Sequence, residues 1–223
     1  MKLFNIITKL ASDRHGGNEV LGKMLIRPKS AKTIKRVPDD RWLSALSKCV
    51  FQAGFNWNII EDKWERFEEV FVGFNINRWL TMSDDDIDQL LTTEGIVKNY
   101  AKIRSVGANA HYLKVLIDEH GSIGHYFSTW KLKDYSCNLQ SMQKKSSRLG
   151  GKTGQVFLRR MGVDTFVFTQ DTIRALSREG ILNNKIPSSK RDWAKLQQAL
   201  NSWHQQSGYS LNEISQILAL SIE

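Results

Sequence analysis

The stretch that decides the fold is S-S-R-L-G-G-K-T-G-Q-V-F-L-R-R-M-G-V-D-T-F-V-F-T-Q-D-T-I-R-A-L, from Ser146 to Leu176. Its glycine pair, Gly150 and Gly151, predicts a tight turn that leads through Lys152 into an apolar helix. A turn that opens a helix presents backbone N–H groups, and these bind anions such as phosphate. One helix further on, Asp171 stands just inside the start of a second helix. The stretch therefore places a carboxylate shortly after an anion-binding turn.

The composition is that of a globular protein with an excess of positive charge. Of the 223 residues, 41% are hydrophobic and 25% are charged, which is ordinary for a soluble domain. The 32 lysines and arginines outnumber the 23 acidic residues, and the net charge is +9. This excess favours a polyanionic partner, and nucleic acid is a better candidate than a membrane surface. The alternative is a basic protein that has no such partner. No apolar run approaches the roughly 20 residues that cross a bilayer, so we predict no membrane association.

The cysteines indicate neither a metal centre nor a cofactor. Cys49 and Cys137 lie far apart in the chain, and no C-x-x-C or H-E-x-x-H string occurs. We therefore predict no metal, neither zinc nor an iron–sulfur cluster, and no cofactor. Two isolated thiols suit a reducing compartment, so we expect the protein to be cytoplasmic. In a bacterium it would lie in the cytosol and nucleoid. Polar residues interrupt the apolar N-terminus, which predicts an amphipathic helix rather than a signal peptide.

The chain divides into an N-terminal arm, residues 1–38, and a helical domain, residues 39–223. The arm combines a short helix, a glycine pair and a basic tract whose cations either contact phosphates or are solvated. From residue 39 onward apolar residues recur at helical spacing, which predicts an all-α domain of about ten helices. Serines three residues before an acid mark helix starts at Ser83, Ser189 and Ser210. Seven aromatic residues are expected in the core: Trp42, Trp64, Phe67, Phe71, Trp79, Trp193 and Trp203.

Two motifs in the N-terminal half carry a family resemblance. The first is L-S-K-C-V-F-Q-A-G-F-N-W, residues 46–57, and the second is T-E-G-I-V-K-N-Y-A-K-I-R-S-V-G-A-N-A, residues 93–110. Both resemble the DNA-3-methyladenine glycosylase I family, in which a Q-A-G-x-x-W stretch lines the pocket for an extruded base. The likeness covers roughly residues 39–182.

The stretch from Gly150 to Asp171 resembles the wider helix-hairpin-helix DNA glycosylase superfamily. There a glycine-bearing hairpin precedes an aspartate by about 18 residues, and here Lys152 and Asp171 are 171 − 152 = 19 residues apart. The resemblance implies an all-α helix-hairpin-helix DNA glycosylase fold, with two helical lobes and a cleft between them. It also places the hairpin and the catalytic aspartate within residues 146–176.

The chain departs from these patterns at several positions. The glutamate with which the family contacts a methylated base falls on Cys49, which puts selectivity for 3-methyladenine in doubt. Ser146, Ser147 and Arg148 stand where the hairpin has Leu-Pro-Gly, and the Gly-Pro pair before the aspartate is absent. The family's terminal zinc ligands have no counterpart here.

Asp171 is the predicted catalytic residue. Cleavage of an N-glycosidic bond moves positive charge onto the deoxyribose, and a nearby carboxylate stabilises that charge and orients the attacking water. Two alternatives are open. Asp171 could be a helix-start carboxylate that takes no part in catalysis, or Asp164 could be the catalytic residue in its place. Asp164 lies only 164 − 152 = 12 residues beyond Lys152, too few to span the intervening helix and turn.

The resemblance also implies residues that bind the base and the DNA. A flipped base needs stacking surfaces and polar contacts, and the predicted base pocket consists of Trp57, Phe51, Cys49, Gln52, Asn56 and Tyr100. Phosphates are expected to bind at the hairpin, formed by Arg148, Gly150, Gly151, Lys152, Thr153 and Gly154. Further cations, Lys144, Lys145, Arg159 and Arg160, extend this basic region.

The sequence thus predicts a DNA repair enzyme. We expect a monomeric, monofunctional glycosylase that hydrolyses the N-glycosidic bond of alkylated purines, such as 3-methyladenine, in double-stranded DNA by base flipping. One alternative is a non-catalytic DNA-binding protein of the same fold. Another is a bifunctional glycosylase/lyase that uses Lys152 as a Schiff-base amine.

Overall fold

A computed structural model of the chain describes residues 1–222. Within that range the protein is helical, with two short 3-10 turns and no β-strand. The helices are α1 (Phe4–Arg14), α2 (Asn18–Met24), α3 (Ala31–Lys35), α4 (Asp39–Gln52), α5 (Trp57–Asp62), α6 (Trp64–Val70), α7 (Ile76–Trp79), α8 (Asp84–Thr92), α9 (Tyr100–His120), α10 (Ile123–Ser128), α11 (Tyr135–Lys145), α12 (Thr153–Met161), α13 (Gln170–Arg178), α14 (Lys190–Ser207) and α15 (Leu211–Leu220). None of these helices is both long and apolar enough to cross a membrane.

The chain folds into two compact units, and each unit is assembled from separate segments. The first unit comprises residues 1–29, 130–140 and 162–223, and the second comprises residues 30–129 and 141–161. This division falls at other residues than the predicted boundary between residues 38 and 39. Residues 1–24, expected as part of an arm, are two helices, and α1 packs against α14 and α15 of the first unit.

An aromatic cluster forms the core of the second unit. On α4 the residues at helical spacing point inward, and this helix packs against α9 and α12. The Trp42 ring stacks on Phe127 with 5.0 Å between centroids, and Phe51 meets Phe67 edge-on at 4.7 Å. Such pairs contribute about 0.5–1.5 kcal/mol each beyond the area that they bury.

The first unit gathers the N- and C-terminal helices around Phe4 and Trp203. Both side chains are fully buried, with 5.7 Å between their ring centroids. The predicted N-terminal amphipathic helix is confirmed as α1, which buries Phe4, Ile7 and Ala11. Of the seven aromatic residues expected in the core, all but Trp193 are buried, and Trp193 is half-buried.

The three predicted helix starts are confirmed as reciprocal capping boxes. At α8 the Asp86 N–H donates to Ser83 Oγ at 3.1 Å, and the Ser83 N–H donates to Asp86 Oδ2 at 2.8 Å. The same pairing opens α14 at Ser189 and α15 at Ser210. Each box satisfies two backbone donors that a helix end leaves unpaired, which fixes where the helix begins.

Candidate functional site

Lys102 on α9 holds the end of α4 in place. Its side chain is 7% exposed, and Nζ donates to the carbonyls of Phe51 at 3.0 Å and Ala53 at 2.8 Å. These carbonyls lie at the C-terminus of α4, where backbone acceptors are unpaired and a cation is favoured. Burial lowers the pKa of Lys102, and the nearby positive charge of Arg148 lowers it further. One buried ammonium thus joins α9 to the segment that follows α4.

Asn109, one residue before the end of the second motif, holds the hairpin loop. Its side chain is fully buried, Nδ2 donates to the Ser147 carbonyl at 3.0 Å, and Oδ1 accepts from the Ser147 N–H at 2.8 Å. These two hydrogen bonds satisfy both the backbone N–H and the backbone carbonyl of Ser147, which lies in a loop. Within the second unit, α9 therefore fastens the hairpin as well as the end of α4.

The hairpin loop, residues 146–152, connects α11 to α12 and has the backbone that its glycines predict. Gly151 has a φ of +56°, in the left-handed region that favours glycine. Gly154 lies so close to the loop that a Cβ there would stand 2.8 Å from the Leu149 carbonyl and 2.7 Å from Met142 Cε. Leu149 is buried, whereas Arg148, Gly150, Gly151 and Lys152 are exposed.

The loop leaves backbone donors directed away from the fold. Among the described residues, the N–H groups of Gly150, Gly151 and Lys152 donate to no protein acceptor. The next two N–H groups turn back into the loop, from Thr153 to Gly150 O and from Gly154 to Leu149 O, both at 3.2 Å. Unpaired donors at the N-terminus of a helix form an anion site. The arrangement fits the predicted phosphate contacts of the hairpin.

A second exposed feature is the aromatic loop, which we define as residues 53–57 after α4. Two of its rings face solvent, with Phe55 42% and Trp57 46% exposed. Asn56 caps α5, because its Oδ1 accepts from the Asn58 N–H at 3.0 Å. The predicted role of Asn56 as a polar contact for a base thus competes with a structural role in fixing this turn.

A chain of hydrogen bonds runs beneath the aromatic loop. Gln52 is 1% exposed, and its Oε1 accepts from Arg160 at 2.8 Å while Nε2 donates to Glu61 at 3.3 Å. Glu61 also pairs with Lys48, and the hydrogen bond from Lys48 is the main cause that lowers the pKa of Glu61. The amide of Gln52 is therefore fixed in orientation between a cation and an anion.

Cys49 is present as a neutral thiol. The side chain is 4% exposed, and burial raises the pKa of Cys49 to about 11, although Arg160 and Lys48 act in the opposite direction. At neutral pH this position therefore offers a small, weakly polar group and no negative charge.

The structure does not fit the predicted stacking role of Phe51. Its ring is fully buried between Phe67 and Phe71, at centroid distances of 4.7 Å and 6.1 Å, so no face is open to a ligand. Helical spacing showed that α4 is amphipathic, but not that Phe51 lies on its inner face. Phe55, which the sequence analysis passed over, is the exposed ring next to Trp57 in the chain.

Tyr100 lies at the first position of α9 and is 48% exposed. Its ring is accessible, as a residue that contacts a base requires, and its place in a base pocket stays a prediction.

The two acidic candidates of the first unit differ in their surroundings. Asp171 lies in the first turn of α13 with its side chain 51% exposed, and Arg174 approaches it at 3.6 Å. Asp164 instead caps α15, since its two carboxylate oxygens accept from the N–H groups of Leu211 at 3.1 Å and Asn212 at 2.9 Å. Burial raises the pKa of Asp164. Of the two, Asp171 has the accessible carboxylate.

Three residues organise the second unit through contacts that the sequence did not predict. Lys102 and Asn109 both lie within the second motif, but the motif itself does not show which residues their side chains contact. Arg160 was expected to extend the basic region of the hairpin, yet it reaches Gln52, 160 − 52 = 108 residues away in the chain. No local sequence pattern predicts a contact between residues so far apart in the chain.

Comparison with known proteins agrees with this architecture. The model of the methyladenine glycosylase family matches residues 34–186. Among solved structures, a variant of 3-methyladenine DNA glycosylase I from Staphylococcus aureus is similar, with 18% identity, a TM-score of 0.51, and coverage of 64% of this chain and 84% of that one.

A second similar protein is the 8-oxoguanine DNA glycosylase of Methanocaldococcus jannaschii, with 16% identity, a TM-score of 0.52, and coverage of 95% of this chain and 89% of that one. The same organism's 8-oxoguanine glycosylase/lyase, solved with a 15mer DNA, covers 96% of this chain at 15% identity and a TM-score of 0.51. At these identities the likenesses show a shared fold. They confirm the predicted all-α fold of a DNA glycosylase.

The family match has wider consequences than the structural likenesses, because it rests on the chain's own residues over well over half of its length. It includes the α4 end, α9 and the hairpin, the parts that Lys102 and Asn109 hold together. The resemblance predicted from the two motifs is confirmed: the protein is a DNA glycosylase that belongs to the methyladenine glycosylase family.

Proposed function

We propose that this glycosylase removes alkylated purines, 3-methyladenine among them, from double-stranded DNA by flipping the base out. In this proposal it hydrolyses the N-glycosidic bond and does not cleave the DNA strand. The observation that carries the proposal is the double attachment made by α9. Lys102 holds the aromatic loop and Asn109 holds the hairpin. One rigid helix thus sets the distance between a surface suited to a base and a loop suited to a phosphate.

The hairpin supplies sequence-independent grip on the DNA. The free N–H groups of Gly150, Gly151 and Lys152 lie at the positive end of α12, and the exposed side chains of Arg148 and Lys152 add charge. Thr153 is half-buried at the first turn, and Gly154 permits the close packing described above. Contacts of this type position a duplex and do not read its sequence.

The aromatic loop supplies the surface for the extruded base. Trp57 and Phe55 are exposed rings that can stack on a purine, and stacking offsets part of the cost of unpairing the base. Gln52 and Cys49 lie at the end of α4, just before this loop, and offer an amide of fixed orientation and a neutral thiol. In this proposal Phe55 takes the stacking role that the sequence analysis gave to Phe51.

Asp171 is the proposed catalytic residue. As the C1′–N bond breaks, the base leaves with the bonding electron pair and the sugar becomes positively charged. The carboxylate of Asp171 stabilises this cation and orients the water that attacks C1′, and the proton that the water loses passes through Asp171 to the solvent. The half-exposed position of Asp171 and the capping role of Asp164 support this assignment over the rival.

The test is the release of bases from methylated duplex DNA, followed by chromatography. We expect the wild-type protein to release 3-methyladenine. Asp171→Asn should release it at least about a hundredfold more slowly, because one electrostatic stabiliser typically contributes two to three powers of ten to the rate. Asp85→Asn is the matched control, since Asp85 is also an exposed carboxylate in the first turn of a helix. Equal rates for wild type and Asp171→Asn would refute the mechanism, and no release by the wild type would favour the non-catalytic alternative.

Borohydride trapping distinguishes hydrolysis from the lyase alternative. A Schiff base between Lys152 and the sugar would be reduced to a stable protein–DNA adduct. We expect no adduct and no strand cleavage, because Lys152 is an exposed residue of the phosphate-binding turn. An adduct that disappears in Lys152→Gln would replace the monofunctional proposal by the bifunctional one.

A further inference from the structure

The carbonyl of Gly151 in the hairpin loop accepts two hydrogen bonds from side chains. Gln143 Nε2 on α11 and Gln155 Nε2 on α12 each donate to Gly151 O at 3.2 Å. Gln155 is 1% exposed, whereas Gln143 is half-buried. Two neutral amides, one from the helix before the loop and one from the helix after it, thus hold a single peptide group.

These two hydrogen bonds fix the direction of the next backbone donor. The peptide bond between Gly151 and Lys152 is trans, so the Lys152 N–H points opposite to the Gly151 carbonyl. The carbonyl is directed at Gln155, which is buried, and the N–H is therefore directed away from the interior. Among the described residues this N–H donates to no protein acceptor.

The same hydrogen bonds affect how strongly the N–H donates. Hydrogen bonds that share a peptide group polarise it, and they strengthen one another by about 10–30% each. A carbonyl that accepts from two amides therefore makes the N–H of its own peptide a better donor. Because both glutamines are neutral, they achieve this without adding charge to the loop.

We propose that Gln143 and Gln155 are positioning residues of the hairpin, and that they aim the Lys152 N–H at one phosphate oxygen of the bound DNA. The inference rests on the proposed function, in which this loop binds phosphates. It adds that two uncharged side chains behind the loop control part of the affinity for one phosphate. A charge-assisted hydrogen bond changes affinity by about ten- to a hundredfold, and the glutamines would control a fraction of that effect.

The experiment neutralises single phosphates of a duplex that holds the protein in one register. The duplex carries a tetrahydrofuran residue, an abasic analogue that leaves no base to release, and a methylphosphonate replaces one phosphate at a time. Fluorescence anisotropy measures each affinity. We expect the wild type to lose about tenfold at one position. Gln143→Met, which keeps the length of the side chain but not its amide, should bind the unmodified duplex about threefold more weakly and lose correspondingly less at that position.

The matched control is Gln140→Met on the same helix. The Gln140 amide also donates to a backbone carbonyl, that of Ser136 at 2.9 Å, but this bond lies within α11 and not in the hairpin. Its variant should bind every duplex like the wild type. Gln155→Met removes the second amide and should act in the same direction as Gln143→Met.

The amide proton of Lys152 gives a second readout, which a merely structural role of the glutamines would not move. Its NMR resonance should shift downfield when the wild type binds the duplex, because the N–H then donates to an anion. The shift should be smaller in Gln143→Met and unchanged in Gln140→Met.

Three outcomes overturn the inference. The first is a wild type that loses affinity at no single phosphate, and the second is wild-type binding by both Gln143→Met and Gln155→Met. The third is weaker binding by these variants with every methylphosphonate penalty and the Lys152 shift unchanged, which would make the glutamines structural alone. Melting curves establish folding, and Gln143→Met decides the matter if the buried substitution Gln155→Met prevents it. Failure of the proposed function looks different, since the wild type then releases no damaged base, whatever the phosphate scan shows.

Discussion

Lys102 and Asn109 lie 109 − 102 = 7 residues apart, which is close to two helical turns and places both side chains on one face of α9. Each makes two hydrogen bonds to the backbone of a loop distant in sequence. Neither touches solvent to any extent, since Lys102 is 7% and Asn109 0% exposed. Their function in this structure is to position the two loops that we propose to contact DNA.

Replacement of Asn109 by alanine should uncouple the hairpin from α9. The Ser147 N–H and carbonyl would both lose their partner, which costs about 1–3 kcal/mol in the free energy of unfolding. Because the hairpin contacts only phosphates in the proposed function, affinity for damaged and undamaged duplexes should fall together. Denaturant unfolding and fluorescence anisotropy measure the two effects.

His111→Ala is the control for this prediction, since His111 is an exposed residue on the same helix. Lys102→Met serves as the contrast, because it releases the aromatic loop and leaves Asn109 in place. We expect it to weaken damaged duplexes more than undamaged ones. If Asn109→Ala binds both duplexes like the wild type, the hairpin does not depend on α9.

At the scale of the element, the hairpin depends on glycine at two positions for different reasons. Gly151 provides a positive φ, and Gly154 permits α12 to approach the loop that precedes it. The loop lacks the Leu-Pro-Gly of the hairpin pattern that it resembles, yet Leu149 supplies a buried anchor one residue before the glycine pair. The backbone geometry is thus maintained by packing rather than by proline.

Gly154→Ala tests this packing directly. The added methyl group would stand 2.8 Å from a backbone carbonyl, so the loop must shift, and overpacking of this kind costs about 1–3 kcal/mol of stability. Displacement of the loop should also weaken DNA binding. Gly150→Ala is the matched control, because a Cβ at Gly150 meets nothing within 4 Å. Similar melting temperatures and affinities for both variants would contradict this account.

At the scale of the whole molecule, the sequence predicted what depends on local pattern. Helical class, the three capping boxes and most of the aromatic core follow from spacing along the chain. Contacts between distant residues do not, and so Arg160 beneath Trp57 and the burial of Phe51 were not foreseen. The two compact units divide the chain at other residues than the expected arm and helical domain, because each unit is built from separate segments.

The net charge of +9 predicts that binding to DNA weakens with salt. Phosphate contacts release counterions, and the logarithm of the association constant falls by roughly 0.9 per contact for each tenfold rise in salt. Lys152→Ala should reduce this slope by about one contact and weaken all duplexes alike. Lys114→Ala is the control, since Lys114 pairs with Asp118 on α9. A slope that is unchanged in Lys152→Ala would remove Lys152 from the phosphate contacts.

The buried thiol of Cys49 bears on how such an enzyme survives in its working environment. The agents that alkylate DNA are electrophiles, and they react with thiolates far more readily than with thiols. With a pKa raised to about 11, Cys49 is almost entirely protonated at neutral pH, and its burial denies the reagent access. Cys137, which is exposed, would be modified first. Cys49, at the end of the helix that leads into the proposed base-binding loop, would therefore stay unmodified while Cys137 reacts.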